Sequence, residues 1–339
     1  MEKGKSTNAL MKHIRINHQI NIGGSYHKKI LLRMGYYHGY KGYRFHRERS
    51  NLFSFSHFDE IIAIYNFDTA LKDLLFSPLV SVETSIKNYI LDELVSGSNP
   101  TFESIYSEKL TDYSRFSGRD KTKILNNRLN LQKSIHSSVH MNYDKNKMVT
   151  NKINSGEPIP LWVMFEIVSL GKLGDFVKQM HKDYRENVLN NLGIYDGMDT
   201  NADHLTNHIF ILNELRNAIA HNHIIFDGRF KNRSINNTLL NDMMNKYSIA
   251  NISFKSIVDY LLLIVMYLKA FGYSKTELRR LTRDFKQIVT TLNHEIPKSE
   301  FNKILGTDIY KGTSKNTSRA SRASNLSLIY SLFLVNFCL

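Results

Sequence analysis

Apolar residues recur at positions 205, 209, 212, 215 and 219, a spacing of three and four that puts Leu205, Ile209, Leu212, Leu215 and Ile219 on one side of an α-helix. At about 100° per residue, Asn217 and His221 fall one turn apart on the opposite side, with Glu214 close by. Arg216 projects into the apolar stripe, toward one edge. A guanidinium cannot shed its charge, so Arg216 requires a carboxylate, a phosphate or water within reach. The segment from Glu214 to His221 therefore offers a histidine and an amide on one side and a partner-seeking arginine on another. One straight helix does not bring Arg216 and His221 to a point, and a second helix or a symmetry mate is expected to complete the cleft.

The rest of the chain is written in the same period. No strand alternation persists, no repeat appears, and 5 Pro with 17 Gly in 339 residues argue against a β-sandwich or a loop-rich fold. An all-α fold is expected. Phe58–Phe76 is expected to form an amphipathic helix, and Ser77-Pro78 to end it and restart another running to about Leu94. Glu83 and Lys87 lie one turn apart on that second helix, with Asn88 beside them. Arg119 to His140 predicts a long basic helix, and residues 151–159 a polar loop. Pro160 to Gly171 predicts a helix that buries Trp162, with Gly171 to Gly174 ending it and starting the next. Those glycines lack the spacing of a phosphate loop. His204 and His208 are one turn apart, as metal ligands can be, but without a third ligand they are expected at surface or capping positions. The acidic residues from Asp196 to Asp203 lack calcium-loop spacing.

Ser253 is expected to cap a buried helix from Phe254 to Phe271, whose apolar run is too short to span a bilayer. Ser274-Lys275-Thr276-Glu277 is a capping box opening a helix to about His294. Three regions follow: residues 1–25, weakly ordered apart from a short helix near 8–18; a helical body over 26–311; and a Ser-rich basic linker with a short apolar tail over 312–339. The single cysteine, Cys338, excludes an internal disulfide and a thiolate metal cluster. The opening residues are basic and polar rather than signal-like, so a cytoplasmic protein with no membrane association, metal or cofactor is expected.

A net charge of +14 favours a polyanionic partner. Tyr36, Tyr37 and Tyr40 alternate with Lys41 and Arg44 in a glycine-punctuated stretch. Aromatic faces interleaved with cations suit stacking and phosphate pairing with single-stranded RNA. A tyrosine-rich turn packed on a helical core accounts for the same residues. A basic loop with His223, Arg229, Lys231 and Arg233 follows the 214–221 segment.

Four segments occur in a recognisable order: Gly35-Tyr36-Tyr37 to Tyr43; Phe58 to Asp92, with its Tyr-x-Phe-Asp and Glu-x-x-x-Lys-Asn; Leu161-Trp162 to Gly171; and Arg216-Asn217-x-x-x-His221. With these, the chain resembles the bacterial Abi-like abortive-infection proteins of the AbiD/AbiF type, in the HEPN superfamily. The resemblance implies a HEPN-like helical bundle with additional helices. It also implies a toxin-like, metal-independent ribonuclease that restricts phage growth, a homodimer with two motifs at one cleft, and a restraining non-coding RNA. It extends to the RNA-cleaving domains of type VI CRISPR effectors, and no DNA partner is expected. Arg216, Asn217 and His221 take the catalytic roles, and Glu83, Lys87 and Asn88 support them. The sequence departs from the pattern at Asn222-His223-Ile224, where an arginine often follows the motif histidine; Arg229 is the candidate substitute for that phosphate contact. Histidine is the side chain suited to proton transfer near neutral pH, and an arginine neutralises charge on a phosphorane. Two other readings fit the same residues: a non-catalytic RNA-binding module, and a helical interaction protein whose Arg216 pairs with a buried carboxylate.

Overall fold

The computed structural model describes residues 4–194, 197, 199–247 and 251–305. The linker and apolar tail over 312–339, with Cys338, lie outside the described residues, as does Asp196. Fourteen α-helices are present among the described residues, and the only β-type pairings there are isolated bridges. They are α1 (Thr7–His18), α2 (Gly24–Met34), α3 (Phe58–Val95), α4 (Phe102–Glu108), α5 (Gly118–Asn142), α6 (Lys147–Asn154) and α7 (Leu161–Ile167). There follow α8 (Leu170–Gln179), α9 (Lys182–Asn191), α10 (His204–Ala220), α11 (Asn237–Tyr247), α12 (Ile257–Ala270), α13 (Lys275–Glu295) and α14 (Lys298–Leu305). A π-helical turn, Gly35–Tyr40, prolongs α2.

The axis of the molecule is α3. Helices α2, α7, α9, α10, α12 and α13 all pack on it, and α10 is held between α3, α8 and α12. Its 38 residues run through Ser77-Pro78 without a break. A proline inside a helix costs about 3 kcal/mol, but Leu71, Leu75, Leu79, Val82, Ile86 and Ile90 keep one buried stripe across it. Burial along that stripe outweighs the lost hydrogen bond, so the expected restart does not occur.

Other expectations also change. The short helix expected near 8–18 is α1, which buries Met11 and Ile14, and Ile20 and Ile22 behind it are core residues. Residues 151–154 of the expected polar loop belong instead to α6, which Asn146 caps by accepting the Met148 and Val149 N–H groups, and 155–159 remain a loop. Trp162 is 43% exposed. The short α7 buries Leu161, Val163, Met164 and Phe165, which leaves Trp162 and Glu166, one turn apart, facing outward. Gly171 and Gly174 sit inside α8, where α10 packs closely: a Cβ on Gly174 would meet Phe210 at 2.7 Å. His204 and His208 are buried rather than superficial. His204 stands between Asp199 (3.6 Å) and Asp242 (3.1 Å), and His208 pairs through Nδ1 with the Tyr267 hydroxyl at 3.0 Å. Ser256, not Ser253, caps α12, while the capping box of Ser274 and Glu277 opens α13 as its sequence requires.

Candidate functional site: the end of helix α10

His221 is the C-cap residue of α10. Its N–H bonds to Asn217 O at 3.0 Å, and the next residue, Asn222, turns the chain with φ +53°. Asn217 and His221 are both exposed, and Asn217 Nδ2 donates to Asn213 Oδ1 at 3.4 Å. The His221 ring lies 6.1 Å from that of His223. Among the described residues no hydrogen bond or ion pair joins Arg216 to His221.

Arg216 faces α3 instead of inserting into the core. Its Nε is 3.6 Å from Glu83 Oε2, and its side chain stays 39% exposed. The other Glu83 oxygen holds Lys87 Nζ at 3.1 Å, and Lys87 also donates to Val168 O at 3.0 Å. Glu83 is thus a half-buried carboxylate shared by two cations, and the open side of Arg216 remains available to an anion. Asn88 is exposed on the same helix, and its side chain has no hydrogen-bond partner among the described residues.

What fixes the chain after His221 is a residue to which the sequence alone assigns no role. Asp68 is fully buried. Its Oδ1 accepts the N–H groups of Ile225 (2.7 Å) and Phe226 (2.8 Å), and its Oδ2 accepts the Tyr43 hydroxyl (2.8 Å) and pairs with Lys72 (2.8 Å). Lys72 in turn donates to the Asn222 side chain at 2.8 Å. A carboxylate buried without such partners would be prohibitively costly, so these contacts occur as a set. Burial and the neighbouring Asp68 charge push the Tyr43 hydroxyl far above its ordinary pKa, which keeps it a donor. The available signal was the aspartate of Tyr-x-Phe-Asp, charged yet in register with the core positions Phe67, Leu71 and Leu75.

Downstream, Arg229 closes the same loop onto the π-helical turn. It forks onto Asp227 and donates to Gly42 O (2.8 Å) and Phe45 O (2.6 Å), over the Phe45 ring. Arg229 is therefore a structural clamp, with little donor capacity left for a phosphate. The aromatic stretch divides in the same way. Tyr40 is fully buried, stacked between Tyr36 and His18, with its hydroxyl 2.7 Å from His18 Nδ1. Burial and the nearby charges of Arg44, His13 and Lys41 push His18 down to about 4. Tyr37 is 75% exposed, and Lys41 stands over its ring at 4.7 Å. Gly39 is required by the wide turn, since a Cβ there would lie 2.3 Å from Met34 O.

A family model described as Abi-like protein matches residues 29–227, more than half of the chain. The chain belongs to the Abi-like family. No curated protein and no solved structure matches it. The matched region of this Abi-like protein begins in α2 and ends at Asp227, so it contains the π-helical turn, the Asp68 contacts, the Glu83 pairings and the whole Arg216–His221 segment. In the Abi-like protein no group of three or more His, Cys, Asp or Glu side chains among the described residues has the arrangement of a metal site. No described helix is long and apolar enough to cross a membrane. Along α5, Arg119, Lys121, Lys123 and Lys133 are exposed, whereas Arg128 is buried and donates to Thr111 O and Tyr106 O.

Proposed function

We propose that this Abi-like protein is a metal-independent endoribonuclease of abortive infection, of the AbiD/AbiF type and HEPN superfamily, with Arg216, Asn217 and His221 at its centre. Family membership supports a role in phage defence. The observation that carries the chemistry is the surface at the end of α10: a partly open arginine anchored by Glu83 beside an exposed amide and an exposed imidazole. In the reaction, the RNA's own 2′-oxygen attacks the adjacent phosphorus and the bond from phosphorus to the 5′-oxygen breaks. His221 takes the 2′-hydroxyl proton, the leaving 5′-oxygen takes one from water, and Arg216 balances the charge on the non-bridging oxygens. The products are a 2′,3′-cyclic phosphate and a 5′-hydroxyl. Glu83 and Lys87 hold Arg216 in place, and Asn217 orients the phosphate. A non-coding RNA that restrains the toxin occupies the same basic surface.

The absence of a contact between Arg216 and His221 within one chain supports a homodimeric, composite site. On α3, Phe76 (47% exposed) and Val80 (41% exposed) lie on the stripe between Lys72, which holds Asn222, and Glu83, which holds Arg216. Apolar side chains left open beside the motif suit a two-fold contact through that surface. The same observation favours one second reading, that a single copy binds RNA without cutting it.

The deciding experiment uses an RNA with a single 2′-deoxy substitution at its cut site, in excess chelator. Cleavage of the unmodified RNA, cyclic-phosphate ends and no cleavage at the substituted position are expected. Cutting at the deoxy position, or loss of all activity on chelation, overturns the mechanism. RNA binding that survives His221→Ala, with no cleavage by the parent protein, selects the second reading.

A further inference from the structure

Two depressions in the surface meet at His38. One, of about 370 Å³, is lined by His38, Gly39, Tyr65, Asn222 and His223, and so begins at the residue after His221. The other, of about 600 Å³, is lined by Tyr37, His38, Lys41, Arg44, Arg49 and Leu52. With His38 in the wall of both, they lie side by side between Asn222 and the π-helical turn, and we refer to the pair as the groove.

The chemistry of the groove changes along its length. Near the motif its walls are apolar, phenolic, amide- and imidazole-bearing, and its one guanidinium, Arg229, is taken up by Asp227 and two backbone carbonyls. At the far end stand Lys41, Arg44 and Arg49, none within ion-pair distance of a carboxylate among the described residues. Tyr37 is 75% exposed there, one of its faces under the Lys41 ammonium. An aromatic ring left in water beside unpaired cations matches a polyanion whose repeating unit also carries a flat apolar face. Single-stranded nucleic acid has that character: phosphates meet the cations and an unstacked base covers the ring. An A-form duplex offers phosphates but keeps its bases stacked, so Tyr37 would gain nothing from it.

We infer that this groove holds the single-stranded RNA flanking the bond cut at His221, with phosphates on Lys41, Arg44 and Arg49 and a base on Tyr37. The inference rests on the ribonuclease reading for its substrate and for the direction of the strand, and it adds His38 and Arg49 to the surface that substrate touches. The groove, rather than the motif, then makes the protein select unpaired RNA.

The test uses the full-length chain carrying His221→Ala, so that binding is read without cleavage. A fluorescent single-stranded oligoribonucleotide and a duplex of the same length are titrated by anisotropy at several salt concentrations. The single strand is expected to bind more tightly than the duplex. Adding Tyr37→Ala should weaken single-strand binding about 5- to 150-fold and leave duplex binding unchanged. Lys41→Ala and Arg49→Ala should each lower the salt slope by about 0.7. All three side chains are exposed, so circular dichroism and thermal melting should match the parent. Equal affinity for duplex and single strand, or unchanged single-strand binding in the Tyr37 and Lys41 variants, overturns the groove. Groove-dependent binding in a protein whose parent never cuts RNA overturns the nuclease reading alone.

Discussion

Lys72 reaches from the middle of α3 to the side chain of Asn222, the residue that follows His221, at 2.8 Å. Its ammonium also pairs with the fully buried Asp68. The two residues differ in what their loss leaves behind. Asp68→Ala strands two backbone N–H groups, the Tyr43 hydroxyl and the Lys72 cation in the interior, and removing one member of such a buried pair costs about 3–5 kcal/mol. Lys72→Met breaks the same pair but leaves Asp68 with three remaining donors, so a loss of about 3 kcal/mol, the low end of that range, is expected. Urea denaturation should therefore rank Asp68→Ala below Lys72→Met. Equal midpoints would refute this account of how the loop after the motif is held.

Arg216 and Glu83 make a contact of 3.6 Å with the arginine 39% exposed, a geometry in which ion pairs contribute little. Arg216→Ala should cost no more than about 1 kcal/mol of stability, and a double-mutant cycle with Glu83→Gln should give a coupling of similar size. Cleavage, by contrast, should fall about 10²–10³-fold with Arg216→Ala and about 10²–10⁴-fold with His221→Ala. A large stability loss with no activity to lose would make Arg216 a structural residue.

These contacts show where sequence alone gives a sufficient reading and where it does not. The stripe of α10, the box that opens α13 and the pair Glu83–Lys87 depend on neighbours three or four positions away, and local periodicity exposes them. Asp68 depends on Tyr43, 25 positions before it, and on Ile225 and Phe226, 157 and 158 after it. No local pattern encodes those separations; only the oddity of an aspartate at a core position marks it. Pro78 and Trp162 mislead for the opposite reason. Each carries a strong residue-type expectation that the packing of α3 and α7 overrides. The tyrosine stretch divides only in three dimensions, because the π-helical turn points Tyr40 inward and Tyr37 outward from one short sequence.

The buried histidines make stability depend on pH in a calculable direction. His208 is pushed down to about 3 by desolvation, with smaller contributions from His204 and Lys246. An unfolded histidine protonates near about 6.5. Between those values the unfolded chain binds a proton that the folded chain does not, so stability falls as pH drops through that window. His18 and His46, both pushed down to about 4, act in the same sense. Asp259, raised to about 6 by burial, acts oppositely, because its folded form takes up a proton first. Denaturation midpoints from about pH 7 to about pH 4 should decline in the parent, more gently in His208→Gln and more steeply in Asp259→Asn. A parent whose stability rises over that range would contradict the assignment.

Charge along α5 should matter for binding and not for folding. Replacing the exposed Arg119, Lys121, Lys123 and Lys133 by alanine should leave thermal stability unchanged. The salt dependence of RNA binding should fall by about 0.7 for each phosphate that one of these side chains neutralises. Arg128→Ala, which removes a buried donor to Thr111 and Tyr106, should instead lower stability by about 1–3 kcal/mol. An unaltered salt slope in the fourfold variant would remove α5 from the RNA surface.

The composite site makes the sharpest demand. If Arg216 of one copy works with His221 of the other, then Arg216→Ala and His221→Ala proteins, each inactive, should regain cleavage when mixed and allowed to exchange subunits. One cleft of the mixed dimer then holds an intact arginine and an intact histidine from different chains. If arginine and histidine act within one chain, the mixture stays inactive, because no single chain carries both. Exchange should require the open face of α3, so Phe76→Glu with Val80→Glu should yield a monomer by sedimentation and abolish the regained activity. Met148→Glu, a position on α6 that is 51% exposed and lies outside both α3 and α5, serves as the control and should leave both intact. A mixture that regains nothing while remaining dimeric would assign each Arg216 to the His221 of its own chain.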